Sequence, residues 1–560
     1  MGKYLRSFRG VALCLVLFSL AVFVASITTS RTEAGTEPAL LVDVSNEAAG
    51  IESVAQQRTQ SNENENENED TPQGVALVVD RTDDSAAASA CTAAANDCSL
   101  RGAVASSNVT AGNNIINFDP AIFGASQTIT LGGTELVINN NGSLTVNGPG
   151  ANLLTVSGNN ASRIISNSVG AVTTISGIRF TAGNGVGAAN TGRAGAVYNN
   201  GGNLTLNSVV ITGNTAANGG GLNNATAGAI LTLNNCVVSN NTSTSSGGGM
   251  QNFSTSTLNI INSEVSGNTG GSTTGGGGIQ GNGTVRVINS TIANNTANAG
   301  NGGGLVYNGG TGNSLTVTNS TFSGNTAVLS GGGVLRTGTT STVAIGNSIF
   351  AGNTNTGGLT PDASGTFTSQ GTNIVGNGSG AVGFTGPGDQ VGTAGTPINP
   401  QLGPLTNNGG TSRTFALLAA SPARNAGNNA IALDLGGSPL TTDQRGAGFP
   451  RVVGGTVDIG AFEAAPAGPP QYQIIDIGVV VAGDTASQGF GVSTGGVAVG
   501  RSFRTGGTQA FSWTQGGGIV GLPNLAGRTF AVSNATNDSG RAVGTGATTA
   551  FGSGRLPIVW

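Results

Sequence analysis

A pattern of apolar and polar positions recurs through the middle of the chain about every 27 residues. Each repeat contains an Asn-Thr pair that follows a Gly or an Asn, and successive pairs are 27, 27, 27, 30 and 28 residues apart. Apolar residues stand 10, 8 and 3 positions before every one of these asparagines, which marks an internal structural repeat. The six anchor asparagines are Asn214, Asn241, Asn268, Asn295, Asn325 and Asn353.

The spacing of the apolar positions predicts short β-strands. Residues two apart, such as Leu204 and Leu206, turn one face of a strand inward, and Ile211 opens a second strand. A third strand is predicted after each Gly-rich turn, at Val197, Leu222, Met250, Ile279, Leu305 and Val334. Three strands make one coil, and coils stacked about 4.8 Å apart pair every strand with its neighbours. The predicted fold class is therefore all-β, a right-handed parallel β-helix.

The anchor asparagines are predicted to form a ladder at a turn. Asn tolerates the left-handed backbone conformation, and its amide can bond to the copies above and below. Gly runs such as Gly247–Gly249 are expected to supply corners with positive φ. A phosphate-cradling loop is the alternative for such glycines, but no helix is predicted to follow these runs.

The β-helix is predicted to span residues 76–463. Residues 76–125 are assigned to an N-terminal cap, residues 140–360 to regular coils, and residues 361–463 to C-terminal coils and a cap. Residues 464–471, which begin AAPAGPP, are predicted to be a linker.

Residues 472–560 are predicted to be a small, incomplete β-repeat region. Two dipeptides recur 40 residues later, Val492-Ser493 as Val532-Ser533 and Ala510-Phe511 as Ala550-Phe551. Trp513 and Trp560 close the two units. A β-rich unit of about 40 residues suits a propeller blade, but a closed propeller typically needs at least about four.

The N-terminus predicts export. Lys3, Arg6 and Arg9 precede an apolar run from Val11 to Ile27, so residues 1–28 have the form of a secretory signal peptide. A retained N-terminal anchor is the alternative. Residues 29–75 lack periodicity and contain the tract NENENENED, which indicates a solvated acidic linker. The expected location is extracellular or on a bacterial cell surface.

The composition limits the possible functions. Only 8% of residues are charged, His is absent, and Lys3 is the single lysine. A net charge of −5 with scattered arginines excludes a nucleic-acid partner, because nothing gathers cations against phosphates. A hydrolytic triad in its usual form needs a His base, so it is excluded as well.

The cysteines fit an exported protein. Cys91 and Cys98 are close enough in sequence to bridge a small loop, and they form the candidate disulfide. Cys236 stands in an Asn-Cys pair where sibling repeats have Asn-Ser, so it is expected to be a small packed residue.

Several motifs resemble those of bacterial surface proteins. CSLRGA at Cys98–Ala103 resembles the CSLREA domain, with Gly102 in place of the family's Glu. Gly332-Gly333-Val334 and Phe322 to Asn325 resemble polymorphic outer-membrane protein repeats. Asp443 to Gly446, followed by Val457 to Glu463, resembles the end of a choice-of-anchor Q domain, and the two C-terminal units resemble HAF repeats. These resemblances imply an exported protein of pectin-lyase-like shape and bring no catalytic residues.

The carboxylates argue against catalysis. Between residues 151 and 360 the only acidic residue is Glu264, which is expected to lie on the coil surface, whereas glycoside hydrolysis needs two carboxylates. We therefore expect a non-catalytic, adhesin-like protein without cofactor or metal, whose polar sheet faces contact polysaccharide, cell envelope or matrix. The alternative is a polysaccharide lyase or hydrolase with its site near the C-terminal cap. Its candidate residues are Asp443, Arg445, Asp458 and Glu463, for which ion-paired capping of the last coil is the favoured interpretation.

Overall fold

The computed structural model describes residues 73–139, 141–357, 360–466, 477–493, 495–537, 539–549 and 555–560. The predicted signal peptide and nearly all of the predicted linker at residues 29–75 lie outside the described residues, and so does most of the linker at residues 464–471. Within the described part of the chain, no helix is long and apolar enough to cross a membrane.

Three parallel sheets form the sides of a β-helix, and each strand pairs with its counterpart in the next coil. Sheet 1 contains Ala76–Val79, Asn113–Phe118, Ser143–Asn147, Val172–Ser176, Asn203–Asn207, Ile230–Asn234, Thr257–Ile261, Thr284–Ile288, Ser314–Thr318, Thr342–Gly346 and Ser369–Gly371. Sheet 2 contains Gln127–Thr130, Leu154–Ser157, Arg179–Thr181, Val210–Thr212, Val237–Ser239, Glu264–Ser266, Thr291–Ala293, Thr321–Ser323, Ile349–Phe350, Ile374–Val375 and Gln390–Val391.

Sheet 3 and a narrow fourth sheet complete each coil. Sheet 3 contains Leu136–Ile138, Ile165–Asn167, Val197–Asn200, Leu222–Ala225, Met250–Asn252, Ile279–Gly281, Leu305–Tyr307, Val334–Arg336, Ala363–Thr366 and Ala381–Val382. The fourth sheet follows the anchor asparagines and contains Thr215–Ala216, Thr242–Ser243, Thr269–Gly270, Thr296–Ala297, Thr326–Ala327 and Thr354–Asn355.

The apolar positions of the repeat fill the interior. All eighteen residues at the −10, −8 and −3 positions are buried, and the most exposed of them, Val343, is only 6% exposed. The apolar residue that opens each third strand is fully buried as well. Burying a side chain of this size contributes about 1.5–3 kcal/mol, so stacking the coils is strongly favourable. The predicted fold class, an all-β parallel β-helix followed by a small β region, is confirmed.

A helix that the sequence analysis missed packs at the start of the β-helix. Leu100–Val109 is α-helical, with Ser99 as its N-cap accepting a hydrogen bond from the Gly102 amide at 2.9 Å. Its buried residues, among them Ala103 and Val104, join the main core. A Cβ atom at position 102 would collide with the backbone of Ala88. The close approach therefore requires Gly where the resembling family has Glu. A second, four-residue helix is Pro120–Phe123.

Residues 402–464, hereafter the flank segment, lie along the outer side of the coils. The segment contains the hairpin Leu402–Thr406 and Thr414–Leu417 and a 3₁₀ turn, Asn429–Ile431. Leu417, Ile459 and Phe462 cluster with Ile349 and Ile374, which belong to sheet 2 but lie outside the main core. The ion-paired residues from Asp443 to Glu463 were expected to cap the last coil. That expected position is wrong. The segment covers this apolar part of the side of sheet 2.

The C-terminal region forms one open sheet that is antiparallel except where its two repeats meet. The first repeat contributes Ala486–Val492, Ala498–Arg504, Gly507–Thr514 and Gly518–Gly521, and the second contributes Phe530–Thr536, Ala542–Ala547 and Leu556–Val559. The two repeats meet where Thr508 pairs with Phe530 in parallel.

The strand pairing corrects the predicted repeat register. Trp513 pairs with Ala498 in the first repeat, as Trp560 does with Ala542 in the second. Ala498 therefore corresponds to Ala542, a shift of 44 residues instead of the predicted 40, and the matching bulges near Gly489 and Ser533 agree with that shift. The predicted copies Ala550 and Phe551 lie outside the described residues.

Candidate functional site

The six anchor asparagines form a continuous hydrogen-bonded ladder. The Nδ2 of Asn214 donates to Oδ1 of Asn241 at 2.9 Å, and the same bond joins each later pair at 2.8–3.0 Å. The backbone N–H of each anchor also donates to the next Oδ1, as Asn241 does to Asn268 at 3.0 Å. All six side chains are buried, so the ladder supports the coil stack and presents nothing to a ligand.

The left-handed residues of the coils are not the anchors. Asn240 and Asn294, each directly before an anchor, have φ near 54° and 53°, and Gly takes that position in the other coils. A second column of left-handed residues turns the chain from sheet 1 to sheet 2 and includes Asn262, Asn289 and Asn319. The assignment of the left-handed conformation to the anchors was therefore wrong by one residue. The signal was present in the sequence as the Gly or Asn before each Asn-Thr pair.

Two polar ladders end on an aspartate. The last anchor, Asn353, donates to Oδ1 of Asp362 at 2.9 Å. The corner serines form a second ladder, which passes from Ser348 through Asn373 to Oδ1 of Asp389 at 2.9 Å. Each bond in such a ladder points the same way, so its last member only needs to accept. Burial raises the pKa of the Asp362 carboxyl, and the bonds that it accepts oppose that shift.

The three described cysteines are either disulfide-bonded or buried in the core. Cys91 and Cys98 form a disulfide next to the N-terminal helix. Cys236 is a buried free thiol in the core, and burial raises its pKa to about 12. A thiol with so high a pKa is not a nucleophile at neutral pH.

The four residues of the predicted polar cluster lie together inside the flank segment. Arg445 binds Asp443 with a 2.6 Å ion pair and lies between the rings of Phe449 and Phe462. The Glu463 amide donates to Asp443 at 2.8 Å, and Glu463 in turn accepts from the Asp458 amide at 2.8 Å. Asp443, Asp458 and Glu463 are 0%, 2% and 2% exposed.

Every carboxylate oxygen of the cluster already accepts a hydrogen bond. Asp458 accepts from the amides of Asn425 and Ala464, both at 2.6 Å, and Glu463 accepts from the amide of Val453 at 3.0 Å. Burial raises the pKa of Glu463 to about 7, and burial lowers the pKa of the enclosed Arg451 guanidinium. This geometry ties a non-repeating segment together and gives every carboxylate oxygen of the cluster a partner within the protein.

Glu264 is also engaged, which corrects its predicted place on the coil surface. It is 1% exposed, because Arg413 of the flank segment covers it. The Arg413 amide donates to Oε2 at 2.7 Å, while its Nε and Nη2 donate to Oε1 at 2.9 and 2.5 Å. The carboxylate anchors the flank segment to sheet 2. Among the described residues, no group of three or more Cys, Asp or Glu side chains could hold a metal ion.

An amide-lined groove of about 340 Å³ runs along the outer side of sheet 3. Its floor is the column Gln251, Gln280, Val306 and Leu335, one residue from each of four successive strands. One wall comes from Gly-rich loops and contains Ser246, Thr274 and Asn301. The opposite wall is the column Asn282, Asn308 and Thr337, each directly after a strand of sheet 3. Hereafter these ten residues are called the amide groove.

Several polar atoms of the amide groove are open to a ligand. Gln251 Oε1 accepts from Asn223 at 2.9 Å and Gln280 donates to Asn282 at 2.9 Å, which fixes both glutamines. Within the described part of the chain, no hydrogen bond involves the side-chain amide of Asn308 or the hydroxyl of Thr337, and both residues are exposed. None of the described residues that line the groove has an ionisable side chain. The groove offers neutral donors and acceptors in a row that repeats with the coils.

The sequence analysis did not single out the groove residues. Gln251 and Gln280 follow directly after the apolar residue of the third strand, so alternation alone placed them on the outside. Gly-rich loops form a wall beside these glutamines. The spacing of residues in the sequence does not indicate such a wall.

No family model and no curated protein matches the chain. Among solved structures, the chain is similar to the crystal structure of pectate lyase Pel9A, with a TM-score of 0.35 and 16% identity over 70% of this chain and 97% of that one.

Proposed function

We propose that this protein is an exported, adhesin-like β-helix that binds an extended neutral polysaccharide along the amide groove without cleaving it. The observation that carries the proposal is the groove itself, a row of uncharged amides and hydroxyls of which Asn308 and Thr337 are exposed and unbonded among the described residues. Sugar hydroxyls both donate and accept, as do these side chains. The groove crosses four strands, so it is about 14 Å long and can hold a short run of sugar residues.

The structural use of the four candidate carboxylates supports binding without cleavage. Glu264, Asp443, Asp458 and Glu463 each accept hydrogen bonds from neighbouring groups and are buried. General acid–base work on a glycosidic bond needs carboxylates that reach the substrate. We therefore propose a binding protein, and the alternative of a lyase or hydrolase at the C-terminal cap receives no support from the placement of these groups.

An exported location fits the cysteines. A disulfide between Cys91 and Cys98 persists in oxidising surroundings and is rare in the cytosol. We therefore place the protein outside the cell or on the cell surface, where polysaccharide, envelope and matrix are the available partners. A groove without aromatic platforms gives modest affinity per site, and many copies on one surface would raise it through avidity.

The test is binding of the full chain to a panel of neutral polysaccharides, with Asn308→Ala/Thr337→Ala as the groove variant. Each lost hydrogen bond weakens binding by about 1 kcal/mol, so the double change should lower affinity about 30-fold. Asn203→Ala/Thr205→Ala on sheet 1 is the matched control, since both residues lie on another side of the coils.

Salt distinguishes this site from one based on charge. Affinity should stay constant as NaCl rises, because no ionisable side chain lines the groove. Equal losses in both double variants, or binding that disappears with salt, would contradict the proposal.

A further inference from the structure

A second cavity, of about 610 Å³, lies on one face of the C-terminal sheet. Both repeats line it: Phe490, Arg501 and Phe503 come from the first, and Phe530 and Thr545 come from the second. A volume of this size suits a drug-sized ligand and exceeds the need of an inorganic anion. Its chemistry differs from that of the amide groove, because aromatic rings and guanidinium groups dominate the lining.

Arg501 is held in this cavity without a counter-ion. Its guanidinium lies over the ring of Phe490 at 5.3 Å and over that of Phe503 at 4.7 Å. It donates to Gln488 at 3.0 Å, while its Nε is buried without a partner. Among the described residues, no carboxylate pairs with it, whereas the neighbouring Arg504 pairs with Asp484 at 3.4 Å. A partly buried cation without its anion is an unfilled interaction that a negatively charged ligand would complete.

The other residues that line the cavity indicate which further groups a ligand would have. Arg504 and Arg555 add positive charge, and none of the described residues that line the cavity is acidic. Asn534, Thr545 and Thr549 supply an amide and two hydroxyls. The rings of Phe503 and Phe530 supply an apolar surface. A sugar ring with a carboxylate presents all three matching features: an apolar face, hydroxyl groups and a negative charge.

We propose that this cavity binds a uronate residue of an anionic polysaccharide, with Arg501 receiving the carboxylate. The two halves of the protein would then contact different glycans, a neutral one along the coils and an acidic one at the repeat sheet. The inference rests on the cavity, the unpaired guanidinium and the charge of the lining. It does not depend on binding in the amide groove.

The test is titration of the full chain with an oligomer of 1,4-linked uronic acid, compared with the neutral hexose oligomer of the same linkage and length. Arg501→Gln should weaken uronate binding about 10- to 100-fold, the range expected for a charge-assisted contact. Arg541→Gln is the matched control, because Arg541 is exposed and lies outside the cavity. Binding should weaken as NaCl rises, and the neutral oligomer should not compete.

Three outcomes at the cavity itself would overturn the proposal. These are unchanged uronate binding in Arg501→Gln, the same loss in Arg541→Gln, and equal competition by inorganic sulfate at the same concentration. Thermal unfolding of each variant excludes misfolding as the cause, and Arg501→Lys, which keeps the charge, should retain part of the affinity. The groove variant Asn308→Ala/Thr337→Ala should bind the uronate normally. If it loses that binding, the acidic glycan occupies the coils instead.

Discussion

The regular coils and the flank segment both contain buried polar groups. They give these groups partners in different ways. In the coils from residue 203 to residue 350, the buried polar side chains other than Glu264 are neutral, and many form columns of one residue type, as in the ladder from Asn214 to Asn353. In the flank segment, they are charged and paired individually, as in Asp443 with Arg445. The one carboxylate of the middle coils, Glu264, is neutralised by Arg413 of the flank segment.

The stacking of coils explains the difference. Equivalent side chains of successive coils lie about 4.8 Å apart, so a column of one ionisable residue would place like charges side by side. An amide both donates and accepts, so a column of asparagines satisfies itself. The flank segment does not repeat, and opposite charges can meet there. Stacking thus favours few charges in the coils, and the described lining of the amide groove is uncharged in the same way.

The largest expected effect comes from placing a charge inside the coils. Leu233→Asp introduces an unpaired carboxylate at a position with no exposure, and we expect it to lower the free energy of unfolding by more than about 4 kcal/mol. Thr232→Asp, on the outward face of the same strand, should cost less than about 1 kcal/mol. Denaturant unfolding measures both. Similar losses for the two variants would mean that the assigned faces are wrong.

A smaller effect should distinguish the middle of a ladder from its end. In Asn268→Asp, the new carboxylate cannot donate to Asn295 or to the carbonyl of Val238, and we expect a loss of about 3 kcal/mol. Asp362→Asn keeps the acceptor that Asn353 needs, so it should cost about 1 kcal/mol. Denaturant unfolding at neutral pH provides the comparison. If the two variants lose the same free energy of unfolding, the direction of the hydrogen bonds in the ladder does not affect stability.

A third effect is a pH dependence confined to the flank segment. Burial raises the pKa of Glu463 to about 7, above its ordinary value of 4.5. The folded protein therefore holds this proton more tightly than the unfolded chain does. Its contribution to stability is complete below about pH 4.5 and is lost as the pH rises through 7, by at most about 1.4 kcal/mol per pH unit.

Glu463→Gln should remove this part of the pH dependence, because the amide does not titrate. Asn308→Gln in the amide groove, where no lining group titrates, should leave it unchanged. Unfolding measured from pH 4.5 to 7.5 shows whether the slope is lost. A slope that persists in Glu463→Gln would assign it to another group.

The coils could be predicted because their sequence repeats. The flank segment does not repeat, so less of its structure could be predicted. The burial of Leu233 and Val265 in the core could be predicted because every coil has apolar residues at the same positions of the repeat. The flank segment has no such repetition, so the proximity of Asp443, Asp458 and Glu463 could be proposed while their place on the side of the coils could not. The ladder-ending role of Asp362 depends on the direction of hydrogen bonds, which residue spacing does not contain.

The central claim, that the coils bind a glycan while the carboxylates serve the structure, is tested most directly by a single assay on the full chain. The protein is incubated with the polysaccharide that binds best, and bound sugar and new chain ends are measured in the same sample over hours. The account predicts saturable binding with no increase in reducing or unsaturated ends above that of a sample without protein. A steady release of new ends that Asp443→Asn or Asp458→Asn abolishes, with folding intact, would contradict it.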